Sequence, residues 1–210
     1  MAMAWKKRVF DLAVAAVLLL MTILLWPLLA GLIRLSSRGS SIFRQERMGI
    51  DDDPFMILKF RTLIENLYED GARDVCDNDQ TMIRLWGLPL GWFLRYSHLD
   101  ELPQLINVLR GEMSVVGPRP FAMARLETAR AHGHKPWRVR PGCISPTMLL
   151  GGGGREESIG WLLRVGCDQQ YAGEHSVPYD LRLMWAVVRS KLFSSQDAPA
   201  TRLPQMSNSD

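Results

Sequence analysis

Two adjacent carboxylates, Asp100 and Glu101, lie in the stretch SHLDELPQL, just before an apolar run with helical spacing. Neighbours at a helix start project about 100° apart, so the two acids cannot share one face or one proton. The unpaired amides of a first helical turn keep a carboxylate ionised. One such acid can attack phosphorus and the other can hold Mg²⁺, which predicts two tasks. The simpler alternative makes Asp100 a helix cap and Glu101 a surface acid.

A phosphorylated substrate also requires cations, and four candidates are Lys59, Arg61, Arg95 and Arg119. Lys59 and Arg61 alternate along a predicted strand, so both point to one face and could converge on one anion. Arg119 stands between Pro118 and Pro120, a stiff frame that would present its guanidinium at low entropic cost. The alternative for Lys59 and Arg61 is a basic pair on a solvated strand face.

The elements that would position these residues form an α+β domain. FMILKFRTL (55–63), after the acidic turn DDDP, is predicted as a strand, and so is the start of MSVVGPRP (113–120). Apolar spacing predicts a helix over 102–109 that Gly111 ends. Helices are also predicted over 122–135 and over 180–192, the latter with Leu181, Met184, Trp185 and Val188 in register. WGLPLGWFLR (86–95) could pack in the core or rest on a membrane surface.

The remaining segments are predicted to be surface features. Residues 66–80 are polar and suggest a helix and loop, whereas GGGG (151–154) suggests a mobile surface loop. The turn RPG at 140–142 precedes that loop. The polar, proline-bearing stretch 195–210 is predicted to be a disordered tail.

The N-terminus is predicted to enter a membrane without crossing it. Residues 12–33 contain no charged side chain, and as one helix they would reach about 33 Å, enough to span a bilayer. Basic residues flank both ends, however, and the positive-inside rule keeps both ends in the cytoplasm. Pro27 can break the helix and return the chain to the side it entered. A one-pass anchor and a cleaved signal peptide are the alternatives.

Composition supports one main domain with this appendage. The chain has 210 residues and is 47% hydrophobic, so 39–194 can form a catalytic domain after a membrane hairpin at 1–38. A formal charge of +3 suits a phosphorylated substrate or an anionic membrane and is too small for a nucleic-acid partner. Three widely spaced cysteines predict neither a disulfide framework nor a zinc site, which is typical of a reducing cytosol.

Several stretches together resemble the bacterial sugar transferase family, the small monotopic phosphoglycosyl transferases that begin lipid-linked glycan synthesis. They are KKRVFD at 6–11, FRQERMG at 43–49, KFRTL at 59–63, LDELPQLINVLRGEMSVVGPRP at 99–120, RPG at 140–142, and D-x-x-Y followed by S-x-x-x-D at 168–180. The resemblance covers residues 6–192. Its most specific part is the stretch 99–120.

The resemblance implies a two-step transfer at the cytoplasmic face of the bacterial inner membrane. The aspartate matching Asp100 attacks the β-phosphate of a UDP-sugar and releases UMP, leaving a phosphosugar-aspartyl enzyme. Undecaprenyl phosphate, a polyprenol phosphate, then accepts the phosphosugar as the first membrane step of exopolysaccharide, O-antigen or glycoconjugate synthesis. Glu101 is associated with the required Mg²⁺, and Lys59, Arg95 and Arg119 with phosphate.

The resemblance also implies a monotopic fold with a re-entrant helix-break-helix hairpin, which the flanking charges predict independently. Membrane lipid is therefore an expected partner, and a second copy of the chain is a further candidate partner.

The chain departs from the family pattern in two places. The family commonly breaks the hairpin at Ser-Pro, whereas this chain has Trp26-Pro27. After RPG the family usually continues with I-T-G and an apolar-Gln-Val stretch, whereas this chain has CISPTMLLGGGG at 143–154. The resemblance places that region near the nucleotide and sugar. The alternative function is therefore that of a catalytically degraded member, kept as a membrane-anchored interaction subunit of a glycan assembly complex.

Overall fold

The computed structural model describes residues 2–63, 90–150 and 157–193. Helices and strands follow in the order α1 (Ala2–Thr22), α2 (Leu25–Ser36), β1 (Ile42–Met48), β2 (Pro54–Phe60), α3 (Gly91–Ser97), α4 (Gln104–Arg110), β3 (Ser114–Val116), α5 (Leu126–Ala131), β4 (Gly142–Ile144), α6 (Glu157–Glu174) and α7 (Val177–Phe193). Helix dominates a small amount of sheet, which confirms the α+β class. The segments predicted at 66–80, 151–154 and 195–210 lie outside the described residues.

The strands pair in two small sheets within the described ranges. β1 and β2 are antiparallel, with Phe43 opposite Lys59, and β3 is parallel to β4. β2 confirms the strand predicted in FMILKFRTL, but it ends at Phe60, so Arg61 lies beyond it. The sequence does not predict β1, because the polar run RQER in its middle hides the apolar alternation of a half-buried strand.

The predicted helices are present with altered bounds. α4 is the amphipathic helix expected over 102–109, and Gly111 ends it with a φ of 87°, which glycine adopts without strain. The helix expected over 122–135 shortens to a 3-10 turn and α5, and Gly133 follows with the same φ of 87°. The sequence does not predict α6, because glycines at 160, 166 and 173 weaken its helical pattern.

α1 and α2 form the predicted helix-break-helix pair. Their axes meet at 63°, with the break at Ile23 and Leu24. Pro27 lies one turn further on, where its ring clashes with the Ile23 carbonyl and supplies no amide to bond it. That carbonyl accepts the Trp26 amide instead, at 3.3 Å.

No helix among the described residues is long and apolar enough to cross a membrane by itself. The bent pair Trp5–Thr22 and Leu25–Ser36 reaches that length and hydropathy only in combination. Both ends of the pair return to the same globular unit. Near the end of α2, Ile33 is buried in one cluster with Phe60 of β2 and Leu94 of α3.

A buried polar network holds the start of α1. Lys7 donates to Asp180 on α7 at 2.5 Å and to the Val116 carbonyl at 3.0 Å. Tyr171 on α6 donates to the same two residues, at 2.6 Å and 3.0 Å. Asp11, one turn along α1, accepts bonds from a hydroxyl and an amide of β3. The stretches at 6–11, 99–120 and 168–180, which carry the family resemblance, therefore meet in one network. Lys7 is a buried member of this network and not a solvent-exposed flanking charge.

β3 and β4 approach so closely that glycine is required on both sides. A Cβ at Gly142 would lie 2.0 Å from the Gly117 nitrogen, and one at Gly117 would lie 2.4 Å from the Arg140 carbonyl oxygen. Backbone bonds cross this gap, from the Gly142 amide to the Pro118 carbonyl at 2.9 Å and from the Gly117 amide to the Ile144 carbonyl at 3.0 Å. The stretches VVGPRP and RPG are thus fixed against each other.

α3 has one buried face and one exposed aromatic face. Leu94 is fully buried, whereas Trp92, Phe93 and Tyr96 are 61%, 47% and 73% exposed. The rings of Trp92 and Tyr96 stack with their centroids 5.2 Å apart. Since Leu94 packs in the same cluster as Ile33, the helix that carries these aromatic rings lies beside the base of the hairpin.

α7 confirms the helix predicted over 180–192 but turns a different face inward. The predicted apolar stripe is largely exposed, at Leu181, Trp185 and Val188. The buried face instead carries Asp180, Leu183 and Val187. The bond from Lys7 explains the difference, because Asp180 must face α1 to accept it.

Removing one partner of the buried ion pair should destabilise the fold. We expect Lys7→Met to lower the free energy of unfolding by about 3–5 kcal/mol, because the Asp180 carboxylate stays buried without its counter-charge. Lys6→Met is the matched control, since Lys6 is exposed. Thermal denaturation in one detergent compares the variants. Adding Asp180→Asn to Lys7→Met should recover part of the loss, and a Lys7→Met protein as stable as wild type would contradict the pair's role.

Candidate active site

The two acids lie on a short 3-10 turn between α3 and α4. α3 ends at His98, which is left-handed with a φ of 57°, and the turn Leu99–Glu101 follows. α4 begins only at Gln104, with Pro103 as its N-cap. The prediction that the acids occupy the first turn of the α-helix is therefore wrong. The capping alternative for Asp100 is wrong as well, because no side chain caps the start of either helix.

Asp100 is a buried acid with an unused oxygen. Its residue is 7% exposed, and Oδ1 forms no hydrogen bond within the described part of the chain. Burial raises the pKa of Asp100 to about 6, helped by the charge of Glu101 and opposed by Lys59 and Arg95. The expectation of a strongly ionised carboxylate at a helix start is wrong here, because the desolvation cost exceeds the attraction of the cations.

Glu101 has a different environment from its neighbour. Its Oε1 lies 3.3 Å from the Lys59 ammonium. Burial alone would raise the pKa of Glu101, but the charges of Lys59, Arg119 and His98 outweigh burial and hold the pKa below its usual value. The pKa values of two acids adjacent in the chain are thus shifted in opposite directions.

A partly open pocket lies beside Glu101. Its lining brings together three of the predicted site residues, Lys59, Glu101 and Arg119. Asp100 is next to this lining in the chain and does not belong to it. With Arg47, which also lines it, the pocket presents three cations and one anion, a surface that suits a diphosphate with or without a bound metal ion.

Arg47 is a pocket residue that the sequence analysis does not predict. It is 6% exposed, lines the pocket, and donates to the Pro120 carbonyl at 3.3 Å and to the Gln45 side chain. Its position at the end of β1 places a third cation near Arg119. The sequence signal for Arg47 is its place in FRQERMG, one of the stretches that carry the family resemblance. Its role is not apparent there, because Arg47 stands among other charged residues on a strand that sequence periodicity does not predict.

Arg61 and Arg95 lie outside the pocket lining. Arg61 donates to the carbonyls of Arg38 and Ser37 at 2.5 Å and 3.0 Å, just after α2. The predicted convergence of Lys59 and Arg61 on one anion is therefore wrong, because alternation no longer applies once β2 has ended. Arg95 donates to the Thr62 hydroxyl at 2.8 Å and lies close enough to Asp100 to lower its pKa.

A buried carboxylate on α6 lies behind Arg119. Asp168 is fully buried, and the Arg119 backbone lies near enough to act on its carboxylate. Burial raises the pKa of Asp168 to about 8, against the effect of the Arg119 backbone and charge and of the Arg164 charge. Asp168 begins the D-x-x-Y stretch that carries part of the family resemblance, but nothing in the spacing of that stretch predicts a buried carboxylate near Arg119.

A family model described as bacterial sugar transferase matches residues 2–194. The chain belongs to the bacterial sugar transferase family.

Curated relatives match most of this chain. A UDP-glucose:undecaprenyl-phosphate glucose-1-phosphate transferase from Caulobacter vibrioides is 39% identical over 194 residues, which are 89% of this chain and 70% of that protein. The protein of the same name from Escherichia coli K12 is 35% identical over 186 residues, 87% of this chain. An undecaprenyl-phosphate glucose phosphotransferase from Komagataeibacter xylinus is 34% identical over 197 residues, 90% of this chain. The chain spans only 39% and 36% of the latter two relatives.

The acidic pair could supply one carboxylate to a magnesium ion. No group of three or more His, Cys, Asp or Glu side chains among the described residues is placed to hold a metal. Mg²⁺ in phosphate chemistry needs fewer, since one or two carboxylates, substrate phosphates and water complete its coordination. Glu101, whose pKa is held below its usual value, is the residue that could hold the ion.

Asp100→Asn should stabilise the protein at alkaline pH. The folded pKa of about 6 exceeds the unperturbed 3.8, so the wild type loses stability as pH rises through this range and the buried group loses its proton. At pH 8 we expect the variant to be more stable by up to about 3 kcal/mol, a gain that shrinks as pH falls toward 4. Melting temperatures from pH 8 to pH 4 test this, with Asp53→Asn as the exposed-acid control. A gain independent of pH would contradict the buried carboxylate.

Proposed function

We propose that this chain is an enzyme that transfers a phosphosugar from a UDP-sugar to undecaprenyl (polyprenyl) phosphate and releases UMP. The observation that carries the proposal is the buried Asp100, whose Oδ1 has no partner among the described residues, next to a pocket lined by Lys59 and Arg119. An unpaired carboxylate oxygen suits a nucleophile, and the cations suit a diphosphate. The names of the relatives describe the same transfer with UDP-glucose.

The proposed reaction passes through a covalent intermediate on Asp100. In the first step, an oxygen of the ionised carboxylate bonds to the β-phosphorus of the UDP-sugar. The bond from that phosphorus to the bridging oxygen breaks, and UMP leaves with this oxygen. In the second step, a phosphate oxygen of undecaprenyl phosphate bonds to the same phosphorus, and the Asp100 oxygen leaves as a carboxylate. The product is an undecaprenyl diphosphate sugar.

The surrounding residues have separate parts in this proposal. Lys59 and Arg119 bind the phosphates, and Lys59 also keeps Glu101 ionised. Arg95 favours the ionised form of Asp100, which is the reactive form. Mg²⁺, if held by Glu101, would neutralise phosphate charge during transfer. Arg61 is left with a structural part, since its guanidinium bonds backbone carbonyls near the end of α2.

We place the bent pair of helices in the cytoplasmic leaflet of the bacterial inner membrane, with the domain in the cytoplasm. Three observations support this placement. Both ends of the pair return to one globular unit, the basic flanks favour the same side, and apolar side chains at the bend are exposed, with Leu20 at 79% and Leu24 at 84%. The exposed aromatic face of α3 suits the interfacial region.

Asp100→Asn should abolish transfer while the protein stays folded. We expect no UMP release above background and no phosphosugar adduct by intact-protein mass spectrometry, because an amide oxygen is a poor nucleophile toward phosphorus. The assay uses UDP-glucose first, then a panel of UDP-sugars, with undecaprenyl phosphate and Mg²⁺. Robust turnover by this variant would remove Asp100 from the nucleophile role.

The controls separate this proposal from the degraded-member alternative. Asp53→Asn, an exposed acid outside the pocket, should behave as wild type. Glu101→Gln should lower the rate by at least about 100-fold, since it removes the charge assigned to the metal. A wild-type protein that is silent across the whole panel would favour the interaction-subunit alternative.

Cysteine accessibility tests the placement of the hairpin. Ala4→Cys and Ser40→Cys, each in a background with the native cysteines replaced, should both be labelled from the cytoplasmic side of inverted vesicles. The reason is that a re-entrant hairpin returns both flanks to one face. Labelling of the two positions from opposite faces would establish a one-pass anchor instead.

A further inference from the structure

One face of the paired strands β1 and β2 lines the candidate pocket. Residues directly opposite each other in an antiparallel pair point to the same face, and so do residues two apart on a strand. Arg47 is opposite Phe55, and Lys59 follows Phe55 four positions later on β2. Arg47 and Lys59 therefore share this face with Ile57, and all three line the pocket.

The cations of the lining are spread along these strands. Arg47 and Phe43, the residue opposite Lys59, are four positions apart on β1, roughly 13 Å at the rise of a strand. Arg119 is the third cation, and Glu101 is the one acid of the lining, which leaves an excess of two positive charges. Each phosphate of a UDP-sugar carries one negative charge. A lining of this length and charge therefore matches two linked phosphates better than a single one.

The Arg47 guanidinium is held in place by the protein. Its Nη1 donates to the Pro120 carbonyl at 3.3 Å, and its Nη2 donates to the Gln45 side chain, two positions back on the same face of β1. The Met48 amide donates to the Phe121 carbonyl at 2.9 Å, which fixes the end of β1 against the segment after β3. A guanidinium carries five N–H donors, so the bonds to Pro120 and Gln45 do not exhaust it. An anion in the pocket thus meets a side chain that has little rotamer freedom left to lose.

We propose that Arg47 is a phosphate-binding residue, which contacts the diphosphate of the donor UDP-sugar together with Lys59 and Arg119. This inference rests on the proposed function and adds a residue to it. Lys59 meets Glu101 at 3.3 Å, so part of its charge is neutralised within the protein, and a further cation on the same face is needed to balance the diphosphate. Arg47 is 6% exposed, and charge-assisted bonds are stronger where water is excluded.

Removing the guanidinium provides the test. We expect Arg47→Met to raise the Kd of UDP by about tenfold or more, because a hydrogen bond to a charged group in a buried site is lost. Calorimetry on the full chain in detergent with Mg²⁺ measures this Kd. In assays of UMP release, kcat/KM for UDP-glucose should fall by a similar factor. In contrast, kcat/KM for undecaprenyl phosphate should change by less than about twofold, since the acceptor binds in the second step.

The same strand supplies a matched control. Arg44 is exposed and lies on the opposite face of β1, so Arg44→Met makes the same chemical change away from the pocket. It should leave the Kd of UDP within about twofold, as is usual for a surface substitution. Arg47→Lys is the second variant, which keeps the charge and decides the question if Arg47→Met does not fold. A lysine lacks the planar fork, so the Kd of UDP should still rise by about threefold or more.

A double-mutant cycle separates direct contact from an effect through Arg119. Arg47→Met also removes the bond to the Pro120 carbonyl, which is next to Arg119 in the chain. An Arg119→Met background has no guanidinium at that position to misplace. Arg47→Met should raise the Kd of UDP again in this background, by about fivefold or more. No further rise there would make Arg47 a positioning residue for Arg119 alone and would overturn the inference.

The other outcomes are equally definite. A higher Kd of UDP in both backgrounds, with Arg44→Met unchanged, supports the inference. A loss confined to kcat/KM for undecaprenyl phosphate would assign Arg47 to the acceptor phosphate and overturn it. An unchanged Kd of UDP in both Arg47 variants would overturn it too, while transfer by the wild type stays intact. A wild type that releases no UMP from any donor overturns the proposed function itself, and this inference with it.

Discussion

The buried ion pair of Lys7 and Asp180 is the contact on which the arrangement of the whole molecule depends. It joins the first helix to the last across 173 positions of sequence, with Asp180 fully buried. Such a pair is costly to desolvate, and it is tolerated because its remaining bonding capacity is used. Asp180 also accepts from Tyr171, and both Lys7 and Tyr171 donate to the Val116 carbonyl. Since Val116 ends the strand that leads into Arg119, the network that anchors the hairpin also fixes one side of the pocket.

Burial and a counter-charge shift the pKa values of the two acids in opposite directions, which their adjacent positions in the chain do not predict. Asp100 is removed from water and keeps an unpaired oxygen, so its pKa rises to about 6. Glu101 meets the Lys59 ammonium at 3.3 Å, and its pKa falls. Metal-assisted attack on phosphorus needs two groups. One is a nucleophile with an oxygen free of hydrogen bonds, and the other is a neighbouring acid that stays charged. The 3-10 turn produces this difference, because it buries the side chain of Asp100 and places that of Glu101 in the pocket lining.

Local features were predictable from the sequence, whereas long-range partners were not. The bent N-terminal pair follows from Pro27, β2 from its apolar run, and the end of α4 from Gly111. The sequence predicts the wrong partners for Arg61 because β2 ends at Phe60 and not at Leu63, and nothing local marks that end. The sequence predicts the wrong buried face of α7, because Asp180 faces inward to accept a hydrogen bond from Lys7. The helical pattern of α7 carries no information about Lys7, which lies on α1. Arg47 was missed for the same reason, since its place in the pocket depends on how β1 meets the segment after β3.

The divergence after RPG has a definite structural meaning. The position of β4 depends on backbone contacts, from the Gly142 amide to Pro118 and from the Gly117 amide to Ile144, and on the absence of a Cβ at both glycines. None of these contacts uses the side chains at 143 or 145. Those side chains can therefore change while the strand, the cations and the acidic pair keep their places. A scaffold of this kind makes the groups that would transfer phosphorus independent of the side chains at 143 and 145, so the divergence after RPG leaves the cations and the acidic pair in place.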